Sequence, residues 1–107
     1  MTIGKQRQKP VTPETINRII WAGAETISLS TAVHFDLFTH IASGKNTARE
    51  LARTTECSAN AIERLLNVLV GLELLYKENK TYILTPESDA FLVRDRPFYL
   101  GDMTRHS

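Results

Sequence analysis

The stretch "NTARELARTTECSANAIERLLNVLVGLELL", from Asn46 to Leu75, constrains the fold more than any other part of this chain. Thr47 with Glu50 three residues on forms a capping box, which predicts a short helix from Thr47 to about Thr54 with Leu51 facing inward. Ser58 then caps a second helix. There Ile62, Leu65, Leu66, Leu69 and Val70 make a broad apolar face, and Asn60, Glu63, Arg64 and Asn67 remain for the opposite side. The continuation "LELLYKENKTYILTP" predicts a hairpin, with Leu75 to Lys77 and Tyr82 to Leu84 as strands and Glu78 to Lys80 as the turn. Helix, turn, helix and hairpin in that order predict a mainly α, winged-helix-like domain, the shape that often reads DNA.

The flanking segments extend this plan. Residues 1–12 form a polar, flexible arm, after which Thr12 can cap a long helix with Pro13 at its first position. Along it Ile16, Ile19, Ile20, Gly23 and Ile27 recur at helical spacing on one stripe, widened by Trp21 and Ala24. That face wants a partner. A further helical stretch, "STAVHFDLFTHIA", carries Val33, Leu37, Phe38 and Ile41 and stops at Ser43 and Gly44. Past the hairpin, Thr85 and Pro86 cap and start another short helix bearing Phe91 and Leu92. The segment 97–107, "PFYLGDMTRHS", opens like a linker helix at Pro97 and displays Phe98, Leu100 and Met103. One compact domain over 13–96 accounts for the rest.

Composition limits what such a domain can do. Thirteen Lys and Arg against twelve Asp and Glu leave a net charge of +1, whereas DNA binders draw much of their affinity from neutralising several phosphates. In the predicted reading helix Arg64 is the one cation between Arg53 and Lys77, and Glu56, Glu63 and Glu73 surround it. Lys77 and Lys80 could serve as a wing, but Glu78 stands between them. Nucleic acid is therefore a poor partner for this chain. Cys57 stands alone, which rules out an internal disulfide or a thiolate metal cluster and suits a reducing cytoplasm. The start lacks the apolar core of a signal peptide, and no stretch reaches the roughly 18 apolar residues of a membrane span.

The run from "AVHFDLFTHIASGKNTARELA" through "YILTPESDAFLV" to "RPFYLGDM" resembles the N-terminal domain of small-molecule O-methyltransferases that use S-adenosylmethionine. The resemblance covers about Pro13 to Met103. It implies a winged-helix-like domain that forms an intertwined homodimer instead of reading DNA, followed in the family by a Rossmann-like domain that binds the cofactor and does the transfer. Four positions depart from the family pattern: Asp36 stands where relatives carry glycine, Thr39 where they carry an acid, and Glu56 and Glu73 where glycine would accept a positive φ.

A cofactor loop is also missing. Binding S-adenosylmethionine in such a fold needs a glycine-rich turn after a strand and an acidic residue for the ribose. Gly4, Gly23, Gly44, Gly71 and Gly101 are scattered singly. This chain alone is expected to hold no cofactor and no metal and to be no enzyme; S-adenosylmethionine belongs to the full-length protein. A methyl-transfer base would be a histidine held by a carboxylate. His34 and His40 are expected to pack or cap, and His106 lies in the tail, so no catalytic residue is assigned. The expected function is the dimerisation and pocket-shaping domain of such a methyltransferase, with Ile16, Ile19, Ile20, Trp21, Gly23 and Ile27 as dimer-interface candidates. The alternative is a stand-alone winged-helix DNA-binding transcriptional regulator.

Overall fold

The computed structural model describes residues 10–104. Helix α1 spans Glu14–His34, α2 Leu37–Ala42, α3 Ala48–Thr55 and α4 Ala59–Gly71; strands β1 Leu75–Glu78 and β2 Thr81–Leu84 form an antiparallel hairpin, and α5 spans Pro86–Phe91. A single 3-10 turn, Gly101–Thr104, closes the described chain. The expected arm lies outside the described residues apart from 10–12, and so does His106.

The caps fall where the side chains ask for them. Thr47 Oγ1 accepts the Glu50 N–H at 3.2 Å and donates to Glu50 Oε1, which fixes the start of α3. Ser58 accepts the Ala61 N–H at 3.1 Å and starts α4. Thr85 and Pro86 start α5, with Thr85 Oγ1 accepting the Ser88 N–H. Ser88 is fully buried and donates from its hydroxyl to the Leu74 carbonyl at 2.7 Å, tying α5 to the entry of the hairpin. At α1 the expectation is off by one residue. Pro13 is itself the cap, the helix begins at Glu14, and the Pro13 carbonyl receives the Asn17 N–H, so Thr12 has no capping role.

The stretch "STAVHFDLFTHIA" is not one helix. Its first five residues complete α1, and the chain breaks at Phe35 and Asp36 before α2 begins. Asp36 has φ 55°, a left-handed conformation that a right-handed helix cannot absorb. The same geometry ends α3 at Glu56 (φ 59°) and follows α4 at Glu73 (φ 64°). At each, the left-handed residue bonds back three positions and its successor bonds back five: Cys57 N–H to the Ala52 carbonyl, Leu74 N–H to the Leu69 carbonyl. These are Schellman caps without glycine. Gly44, at φ 104°, closes α2 in the same way, with the Lys45 N–H on the His40 carbonyl.

The hairpin pairs Leu75 with Leu84, Tyr76 with Ile83, Lys77 with Tyr82 and Glu78 with Thr81. Each strand is thus one residue longer than expected, and the turn is Asn79 and Lys80, with Asn79 supplying a positive φ. A bridge from Thr47 to Thr81 and the Tyr82 N–H on the Asn46 carbonyl attach β2 to the segment entering α3. The core runs through Leu37, Phe38 and Ile41 of α2, Leu51 of α3, Ile62, Leu66 and Leu69 of α4, and Leu75 and Tyr82 of the hairpin. It is closed on one side by Ala32 and Val33 at the end of α1 and on another by Leu92 and Val93. Burying each of its larger aliphatic side chains contributes about 1.5–3 kcal/mol.

No helix forms at Pro97. Residues 92–100 are bends, turns and irregular backbone, and the Leu100 N–H bonds to the Phe91 carbonyl at 2.7 Å. The chain doubles back there. The Tyr99 ring folds over Gly101, so closely that a Cβ on residue 101 would overlap it. That close approach holds the connector in a non-helical path.

Candidate self-association surface

Helix α1 has two apolar faces, and the described residues cover only one. At roughly 100° per residue, Leu29, Ala32 and Val33 point about half a turn away from Ile16, Ile20, Gly23 and Ile27. The former group meets the core. The latter lies in the open: Ile16, Ile20 and Ile27 are 63%, 58% and 67% exposed. Every residue from 14 to 27 is exposed except the half-buried Ala24, so the first turns of α1 stand clear of the rest of the domain and contribute to its 62 Å long dimension. Glu14, Arg18 and Glu25 fall on the side away from the stripe.

The structure brings five of the six candidate residues together. Ile16, Ile20, Gly23 and Ile27 form one line, and Ile19 flanks it, also exposed. Trp21 does not join that line. It sits about a third of a turn around the helix, exposed on the flank. Gly23 has no described atom within 4 Å of where a Cβ would stand, and its φ is not left-handed. Glycine inside a helix costs about 0.5–1 kcal/mol relative to alanine, and nothing within the described chain calls for it. A small residue on an open helix face suits close approach by a second helix.

One of the three residues that would read DNA is engaged by the hairpin. Asn60, Arg64 and Asn67 are exposed on α4, but Asn67 Oδ1 accepts the Tyr82 hydroxyl at 2.8 Å and lies 3.5 Å from Lys77 Nζ. Lys77 also sits over the Tyr82 ring. The cleft between α3, α4 and the hairpin, about 550 Å³, mixes Arg49, Lys77 and Lys80 with Glu63.

His34 and His40 both stand at helix ends. His34 ends α1 with its ring edge-to-face against Phe35, and the His40 carbonyl receives the C-terminal donors of α2. Neither forms an ion pair among the described residues. Among those residues no group of His, Cys, Asp or Glu is placed to hold a metal ion, and no helix is long and apolar enough to cross a membrane.

One cluster escaped the sequence reading. Arg94 Nε donates to Asp36 Oδ1 at 2.6 Å, its backbone N–H donates to Thr39 Oγ1 at 3.1 Å, and its guanidinium lies 5.9 Å from the centre of the Tyr99 ring. The hydrogen bond that Arg94 donates to Asp36, followed by the charge of that carboxylate, raises the Arg94 pKa above its ordinary value. Asp36 and Thr39, two of the four positions read from the sequence as departures from the family pattern, both serve one arginine 55 or more residues away. Only their joint departure hinted at it.

A helix–turn–helix–hairpin domain with one amide of its outer helix face bonded to its own hairpin, and with an apolar stripe on its longest helix that no described residue covers, has the form of a dimerisation module. The chain belongs to the O-methyltransferase dimerisation domain family, whose model matches residues 23–94. It is 35% identical over 79 residues to the S-adenosyl-L-methionine-dependent methyl transferase PigF of Serratia sp. (strain ATCC 39006), a match covering 74% of this chain and 23% of that protein. The structure of PigF with SAH is similar at a TM-score of 0.79 and 27% identity, over 91% of this chain and 29% of that one. The O-methyltransferase family 2 protein of Planctomyces limnophilus DSM 3776, solved with apigenin, is similar at 0.79 and 26%, over 90% and 29%. The chain thus spans less than a third of the length of these relatives.

Proposed function

We propose that this chain is the dimerisation and pocket-shaping domain of an S-adenosylmethionine-dependent small-molecule O-methyltransferase. Residues 13–96 make the self-association unit, and 97–107 lead toward a catalytic domain that binds cofactor and methyl acceptor. The domain by itself transfers no methyl group. Two copies pair through α1, with Ile16, Ile19, Ile20, Gly23 and Ile27 at the centre and Trp21 at the rim. The carrying observation is the position of that stripe, about half a turn from the residues that meet the core, where no described residue covers it.

An isologous two-fold contact places the same stripe on both sides, so one substitution strikes the interface twice. Similarity to proteins solved with SAH supports S-adenosylmethionine as the cofactor of the whole enzyme. The lone Cys57 supports a cytoplasmic setting. Sedimentation equilibrium of the 107-residue chain tests the reading: the native sequence should be a dimer at tens of micromolar and Ile20→Glu a monomer with an unchanged circular dichroism spectrum. A native chain that stays monomeric at high micromolar concentration would overturn it.

A further inference from the structure

The pairing surface proposed above has a second component, carried by the connector instead of by α1. Ser30 Oγ donates to the Thr104 carbonyl at 3.0 Å, and the 3-10 turn Gly101–Thr104 packs against α1. Ser30 lies one turn after Ile27 and therefore on the same side of the helix as the stripe. The chain's own 3-10 turn thus continues the stripe at its C-terminal end. Next to that anchor Met103 is 78% exposed, the most exposed large apolar side chain on the connector, and Ile27 is 67% exposed one helical turn upstream. Two large apolar groups flank one half-buried attachment, and no described residue covers either.

The attachment is built and not accidental. Gly101 is buried under Tyr99, Tyr99 lies against Arg94, and Arg94 is held at both its guanidinium and its backbone by Asp36 and Thr39. Asp36 is the left-handed residue at the break after α1. The break that ends the helix therefore also fixes the connector that returns to it. We infer that Met103, held in register by the Asp36–Arg94–Tyr99 clasp, is part of the surface that a second copy of this chain covers. Arg94 is a positioning residue in this arrangement; Met103 touches the partner. The inference rests on the pairing of α1 stripes and adds to it a contact that the stripe alone does not need.

Sedimentation equilibrium on the 107-residue chain separates the two claims. With native chain, Ile20→Glu, Met103→Glu and Arg94→Gln compared at matched circular dichroism, Met103→Glu should raise the dimer dissociation constant roughly tenfold or more, as for a well-placed interface side chain. Arg94→Gln should raise it severalfold with no change at the interface itself. A second measurement does not depend on substitution: peroxide oxidation of Met103, read by peptide mass against Met1 as internal reference, should slow as the protein is concentrated through its dimerisation range. If Ile20→Glu abolishes pairing while Met103→Glu matches the native constant and Met103 oxidises equally fast at all concentrations, the connector is outside the interface and the inference fails. If Ile20→Glu pairs like the native chain, the α1 reading fails and this one with it.

Discussion

The Tyr82 hydroxyl donates to Asn67 Oδ1 across 2.8 Å, joining the middle of β2 to the outer face of α4. In a winged helix that reads DNA, this is the face that lies in the groove and needs its amides free for base edges. Here an amide is committed to the hairpin. The ring of Tyr82 is 2% exposed and helps form the core, so the hydroxyl reaches outward from a fixed base and the bond sets the angle of the hairpin to the helix.

Tyr82→Phe keeps the ring and removes that bond. Asn67 is exposed and can turn to water, so the loss should fall at the low end of the roughly 0.5–1.5 kcal/mol range for a hydrogen bond. Urea unfolding should show a lower midpoint at unchanged slope. A loss above about 3 kcal/mol would instead indicate that the ring had left the core.

Left-handed caps made by glutamate invite the opposite change. Glu56→Gly and Glu73→Gly each remove about 1 kcal/mol of strain, partly offset by the greater freedom of glycine in the unfolded chain. Each variant should be stabilised by a few tenths to about 1 kcal/mol, read from the urea midpoint. Asp36→Gly should behave differently, because it releases strain but also discards the Arg94 partner; its amides from 94 to 104 should exchange faster even if the melting temperature holds.

These positions also explain what the sequence disclosed and what it did not. The caps at Thr47, Ser58 and Thr85 were legible because a hydroxyl three residues before a donor is a local pattern. The exposed apolar stripe of α1 was legible because apolar spacing is local too, although Trp21 was grouped with it by proximity in sequence and falls on the flank. The break at Asp36 was not, since a helix and a break differ there by one residue's φ, and Asp tolerates either. The helix expected at Pro97 failed for a related reason. Proline can start a helix, but the Leu100 bond to Phe91 and the Tyr99–Gly101 contact are long-range or steric facts that override it. Arg94 was invisible because its partners lie in another element.

The Arg94 clasp should answer to salt more than to alkali. Its pKa is raised in the folded chain, so its contribution is fully present below the ordinary arginine value and is lost only as pH rises through the raised one. From the Arg94 side, nothing changes between neutral and moderately alkaline pH. The Asp36–Arg94 pair is partly exposed, and about 1 M salt shortens the screening length to roughly 3 Å. Hydrogen exchange at the Leu100 and Met103 amides should therefore quicken with salt and stay level, after correction for intrinsic rates, between pH 7 and 9.

Core and stripe make opposite demands on one experiment. Leu66 is fully buried on α4, so Leu66→Ala should cost about 2–5 kcal/mol of stability. Ile20 is more than half exposed, and Ile20→Glu should change the stability of the isolated monomer by no more than about 0.5 kcal/mol. Pairing couples to folding by mass action, so the melting temperature of a dimer rises with protein concentration. The native chain and Leu66→Ala should both show that rise, the latter from a lower starting point. Ile20→Glu should melt at one temperature across a hundredfold dilution. If its melting temperature tracks concentration as the native chain's does, the stripe on α1 is not what holds two copies together.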